Sequence, residues 1–146
     1  MAYKGYFKPK NPAKYKGNPT NIIYRSRWEL KLMSNLDDHP EIVQWSSEEF
    51  CIPYRSPVDG RMHRYFPDFW VKKKKPDGTF ETMVIEVKPA AQTVAPKPEN
   101  KPNRRYINEV FTYGINSAKW AAAESFCKDR NWKFVIFTEK ELGINF

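Results

Sequence analysis

Asp68, Glu86 and Lys88 are the residues whose types and spacing point to chemistry. They flank a hairpin signal at Pro76-Asp77-Gly78. A three-residue hairpin loop usually holds two right-handed residues and then one left-handed residue, and Gly78 falls where the left-handed one is needed. Lys75 then pairs with Thr79, and counting back in step sets Asp68 directly across from Glu86. Opposed residues share a face of the sheet, with Cβ atoms about 4.5–5.5 Å apart. Lys88, two residues beyond Glu86, returns to that face, while Met83, Ile85 and Val87 take the other and read as core. Pro67 has no N–H for the ladder, so regular pairing is expected to end or bulge beside Asp68, where a slip of one residue would spoil the opposition.

Two like charges set face to face destabilise a sheet, the more so when partly buried. A shared proton, a neighbouring lysine or a divalent cation would offset the repulsion. Hard oxygen ligands on a rigid ribbon, with one side left for phosphate and water, suit Mg²⁺, with Mn²⁺ as a substitute. The plainer alternative is an exposed cross-strand cluster satisfied by Lys88 alone.

The elements that must position these residues follow from periodicity. Ser26 caps a helix that carries Trp28, Leu32 and Leu36 at helical spacing and stops around Asp37-Asp38-His39-Pro40. Ile42 to Trp45 and Phe50 to Tyr54 read as extended, Pro57 to Gly60 as a turn, and His63 to Lys73 and Phe80 to Pro89 as two further strands. A proline-rich loop spans Ala90 to Asn103. Helical pattern returns at Arg104 to Tyr113 and from Asn116 to Arg130, with a possible break at Gly114. Asn131 is placed to close the helix in the left-handed conformation before a last strand from Trp132 to Thr138. Trp120, Phe126 and Cys127 read as core, and His39 and His63 as surface or structural residues without the company of a zinc site.

The chain has 146 residues, of which 40% are hydrophobic and 16% aromatic, enough for one packed domain and too much for wholesale disorder. Its apolar runs, such as that around Val135 to Phe137, are far too short to cross a membrane. The first residues lack the apolar stretch of a secretion signal, and two distant cysteines, Cys51 and Cys127, suit a reducing cytoplasm better than a disulfide scaffold.

Twenty-five Lys and Arg against 17 Asp and Glu leave a net charge of +8, concentrated at the start. Seven basic residues and no acid precede Trp28, interleaved with Tyr3, Tyr6, Phe7 and Tyr15. Residues 1–25 thus read as a basic arm and 26–146 as the domain. Such an arm either tracks a phosphate backbone or wraps its own domain. The same theme recurs at Lys72 to Lys75 and in the loop from Pro96 to Arg105. The candidate phosphate-contacting residues are Lys10, Lys14, Lys16, Arg25, Arg27, Lys72, Lys73, Lys74, Arg104 and Arg105.

Phe66-Pro67-Asp68 followed by Ile85-Glu86-Val87-Lys88 resembles the PD-(D/E)xK nuclease signature. The order helix, strands, helix, strand is similar to that superfamily's αβββαβ core, an α/β fold of the restriction-endonuclease type with a mixed sheet flanked by helices. The stretches Lys14 to Gly17, Tyr24 to Glu29, Arg64 to Phe66, Ile85 to Pro89, Asn108-Glu109, Lys119-Trp120 and Phe137 to Glu139 resemble the head completion nucleases of T-even-type tailed phages, which are themselves similar to the transposon endonuclease TnsA. The resemblance implies Asp68 and Glu86 as metal ligands with the Val87 carbonyl as a third. It implies Lys88 as the residue that positions or activates water, and Glu29 as an acid brought by the first helix, although Glu29 also fits a capping box with Ser26. It further implies a metal-dependent endonuclease acting on packaged DNA ends, with double-stranded DNA as partner of those same basic residues, found in host cytoplasm and virion beside head or neck proteins. The alternatives are a non-catalytic DNA-binding head protein, a TnsA-like transposition subunit, or a nuclease acting on RNA.

Overall fold

The computed structural model describes residues 4–143; Tyr3 lies outside them. Strand β1 (Gly5–Tyr6) pairs with β2 (Ile23–Tyr24), and helix α1 (Arg27–Asp38) follows. Next come β3 (Ile42–Ser47), β4 (Ile52–Arg55), β5 (Met62–Tyr65), β6 (Phe69–Lys74) and β7 (Phe80–Val87). The long helix α2 (Arg104–Lys128), β8 (Lys133–Phe137) and the short α3 (Glu139–Leu142) complete the order.

The central sheet runs β3-β6-β7-β8. Its first three strands are antiparallel neighbours, and β8 lies parallel to β7. A parallel pair needs a crossover, and α2 supplies it. Helix α1, these four strands and α2 give the αβββαβ order expected, with β4 and β5 inserted as a separate two-stranded hairpin.

Alternation along the strands divides the core between the two helices. On one face, Leu32, Met33 and Leu36 of α1 pack on Trp45, Phe69, Val71 and Ile85. On the other, Trp120, Ala123 and Cys127 of α2 belong to clusters with Tyr65, Trp70 and Val84. The readings of Trp120 and Cys127 as core, and of Met83, Ile85 and Val87 as a core face, hold. His39 is exposed, and His63 is exposed beside Asp59 at 2.8 Å.

Two expectations are corrected. His63 to Lys73 is not one strand: Met62–Tyr65 pairs with β4, Phe69–Lys74 pairs with β3 and β7, and the chain changes sheets at Phe66-Pro67-Asp68. Pro67 cannot continue a ladder, and it is buried at the crossing point. Nor does Gly114 break the second helix, which runs unbroken over 25 residues. A helical glycine costs only about 1 kcal/mol, and the burial of Asn116, Trp120 and Ala123 just beyond it offsets that. Asn131 does take the left-handed conformation, with φ 58°.

The N-terminal arm packs on the domain it precedes. Asp37, 1% exposed at the end of α1, accepts the backbone N–H groups of Lys10 at 2.8 Å and Asn11 at 3.2 Å. Lys14 Nζ donates to the carbonyls of Asp37 and His39. Phe7 and the buried Tyr15 meet Trp45 edge-on, with centroids 5.8 and 4.8 Å away. Asp37→Ala would leave two backbone donors without their acceptor, and a loss of about 2 kcal/mol or more is expected. Urea unfolding, with limited proteolysis of the arm, checks it.

Candidate active site

The hairpin register holds to the last pair. Lys75 N–H donates to Thr79 at 2.7 Å, and Gly78 turns the chain with φ 87°. The ladder then runs in step from Lys74–Phe80 to Phe69–Ile85. One step further, where Pro67 ends regular pairing, stand Asp68 and Glu86. No slip intervenes.

Loss of the ladder changes what holds Asp68. Its Oδ2 accepts the Val87 N–H at 2.7 Å, so a side chain replaces the missing strand partner. Glu86 is 6% exposed and its Oε2 accepts the Tyr65 hydroxyl, which contradicts an exposed cluster satisfied by lysine alone. The Glu86 side chain lies beside that of Asp68, close enough for its charge to act on it. Burial, above all, holds the Asp68 carboxyl well above the usual carboxylate range. The charge of Glu86 and that of Glu29 push the same way, against the Val87 N–H.

Glu29 approaches from the first turn of α1. Ser26 Oγ accepts the Glu29 N–H at 3.1 Å, so the capping half of the expected motif is present. The reciprocal arm differs: the Glu29 carboxylate accepts the N–H of Arg25, at 3.4 Å, rather than that of Ser26. Its pKa is raised, chiefly by burial and also by Glu48, with the Arg25 N–H opposing. Lys88 is half-buried just past β7, its N–H donating to Phe137 at 3.0 Å. Val87 lies at the end of β7 and contributes its N–H to Asp68.

Tyr65 is the residue that sequence reasoning missed. It sits on β5, outside the central sheet, and the insertion hairpin carries it to Glu86. Burial, then the Glu86 charge, pushes its hydroxyl above the ordinary tyrosine range, so it stays a donor. Lys119 of α2 holds its ammonium 5.7 Å from the Tyr65 ring centre and 5.9 Å from that of Tyr54. The only sequence hint was the tyrosine just before the Phe66-Pro67-Asp68 run.

The candidate DNA contacts are not brought together. Lys10 and Lys14 sit at the far end of α1 from Glu29. Lys16 lies over the Trp70 ring at 4.5 Å, and Arg25 pairs with Glu48. Arg27 is exposed on the first turn of α1. Lys72 covers Phe80, Lys73 is 3.9 Å from Glu41, and Lys74 is exposed on the hairpin. Arg104 and Arg105 open α2, Arg105 paired with Glu109 at 3.2 Å. Among the described residues, no three His, Cys, Asp or Glu side chains form a metal-ligand cluster. A cation here would draw on two carboxylates, backbone and water, a donor set that fits Mg²⁺ because that ion retains several waters.

The profile of the TnsA-like endonuclease N-terminal family matches residues 39–139, a span that includes Asp68, Glu86 and Lys88. The head completion nuclease of Enterobacteria phage T4 is 42% identical to this chain, over 97% of it and 95% of that protein. The chain belongs to the TnsA-like endonuclease family. The expected nuclease class and restriction-endonuclease-like fold are thereby borne out. In this TnsA-like nuclease the described residues include no helix long and apolar enough to cross a membrane.

The raised Asp68 pKa has a testable sign. Between the unfolded carboxylate pKa, about 3.9, and the higher folded value, the folded chain binds more protons than the unfolded one, so stability falls as pH rises. Asp68→Asn removes that loss while its side-chain oxygen still accepts from Val87. In EDTA the variant is expected to melt higher than the parent at neutral pH, with the advantage vanishing toward about pH 4. Thermal melts across that range check it.

Proposed function

We propose that this chain hydrolyses DNA phosphodiester bonds with the help of a divalent metal ion and does so during completion of a phage head. The observation that carries the reading is the opposition of Asp68 and Glu86 with Lys88 on the same ribbon. The phage setting rests on the name of the T4 relative, and head or neck proteins are the partners that setting implies.

Asp68 and Glu86 would hold Mg²⁺, or Mn²⁺ in its place, with the Val87 carbonyl as a third donor. The ion would supply Lewis acidity toward the scissile phosphate and lower the pKa of a bound water. The protein's own residues define the rest. Val87 N–H fixes Oδ2 of Asp68 and the Tyr65 hydroxyl fixes Oε2 of Glu86, so each carboxylate keeps its other oxygen for a ligand. Lys88 orients the attacking water and offsets charge that develops on the phosphate. Glu29 stands close enough to raise the Asp68 pKa and can accept a proton or a water beside it. Basic residues on the hairpin and on α2 contact phosphates without reading sequence.

Asp68→Asn or Glu86→Gln is expected to abolish Mg²⁺-dependent cleavage while DNA binding, read by anisotropy in EDTA, stays near the parent's. Undiminished cleavage by either variant would remove the catalytic assignment. Tyr65→Phe is expected to weaken Mn²⁺ binding about 10- to 100-fold, the usual range for a lost outer-shell partner, with titration calorimetry as the readout. Glu29→Gln separates capping from chemistry. The cap uses the Glu29 backbone, so a variant with unchanged melting and lost cleavage marks an active-site acid.

A further inference from the structure

Between the chain that follows β7 and the N-terminal half of α2 lies a cleft of about 770 Å³ that the carboxylate centre does not use. On the helix side, Arg105, Asn108, Thr112 and Asn116 recur every three or four residues and form one stripe. Lys119 continues that stripe by one turn, and its ammonium lies over the ring of Tyr65, the donor to Glu86. The cleft therefore starts about one helical turn from Lys119 and runs toward the helix N-terminus. Its opposite wall begins at Ala91, three residues after Lys88.

At the inner end Asn116 is 8% exposed and lines the cleft, and its side-chain amide is not among the described buried atoms that lack a partner, which are Trp45 Nε1 and Trp120 Nε1, so it remains open to the cleft. A ligand in the cleft can therefore reach that amide as donor and acceptor.

We propose that this cleft takes an unpaired nucleotide of the DNA strand being cut, so that strands with single-stranded extensions bind better than continuous duplex. The inference rests on the nuclease reading above and adds the form of DNA preferred. Cavities of roughly 300–1,000 Å³ hold compact ligands, which matches a nucleotide or two, whereas a double helix does not fit between a helix and a loop. The amides of Asn116, Asn108 and Gln92 offer both donors and acceptors, as base edges require. Tyr113 and the apolar Val94 supply faces for a base to lie against. Charge sets the orientation. Glu109 sits in the wall and pairs with Arg105, which disfavours a phosphate inside, while exposed Arg104 is available to one outside.

The test measures anisotropy in EDTA with a short blunt duplex and the same duplex carrying a single-stranded extension at either end. The parent is expected to bind one of the extended forms at least about fivefold more tightly, the lower end of what one stacked base contributes. In Asn116→Ala the ratio of extended to blunt affinity is expected to fall to about one. Gln92→Ala with Asn108→Ala, both at exposed positions, repeats the test should the buried change impair folding. Equal binding of blunt and extended DNA by the parent overturns the proposal, as does a preference that survives in the folded variants. Cleavage assays in Mg²⁺ keep the two readings apart. A chain that prefers extensions but cuts nothing loses the nuclease reading alone, and one that cuts without any preference loses this one alone.

Discussion

Two carboxyl groups held across one β-ribbon repel each other unless a proton or a cation lies between them, and the neighbourhood of Asp68 and Glu86 is organised around that constraint. The hairpin sets the opposition through a turn that only a left-handed residue at Gly78 can make. The proline before Asp68 then ends the ladder at the point where the acids need room, and the Val87 N–H left without a strand partner is bound by the acid itself. Glu86 is buried, so its charge is strongly felt, and the Tyr65 hydroxyl turns what would be an unpaired acceptor into a fixed one. The break that sends the chain from one sheet to the other therefore both frees Asp68 and delivers Tyr65.

The electrostatic layout follows. A chain of net charge +8 has an acidic centre, with Glu29 adding to the potential that Asp68 feels. Much of the positive charge serves the fold itself. Lys14 closes the end of α1, Lys16 and Lys72 lie on aromatic rings, and Arg25 and Arg105 face glutamates. What remains outward includes Lys74 on the hairpin tip and Arg104 at the start of α2. A basic exterior attracts polyanions, whereas an acidic centre attracts cations.

The parts of the molecule governed by local rules were legible in the sequence. The turn at Gly78 fixed the register and so the opposition of Asp68 and Glu86, and Ser26 marked the start of α1. Strand alternation separated Ile85 from Glu86, and Asn131 is left-handed as expected, although α2 already ends at Lys128 with Asp129 as its cap. Where local preference competed with packing, it misled. Gly114 suggested a break that the burial of α2 on the sheet overrides, and the run from His63 to Lys73 looked continuous because both pieces carry strand-forming residues.

The sequence by itself determined which acids face each other and which helix follows them, because backbone geometry couples neighbours a few residues apart along a hairpin. Only the tertiary structure decided that Tyr65 holds Glu86, that Lys119 covers Tyr65 and that Asp37 ties down the arm. Those pairs lie on elements whose approach is set by the burial of two hydrophobic faces, and no spacing along the chain encodes the distance between them.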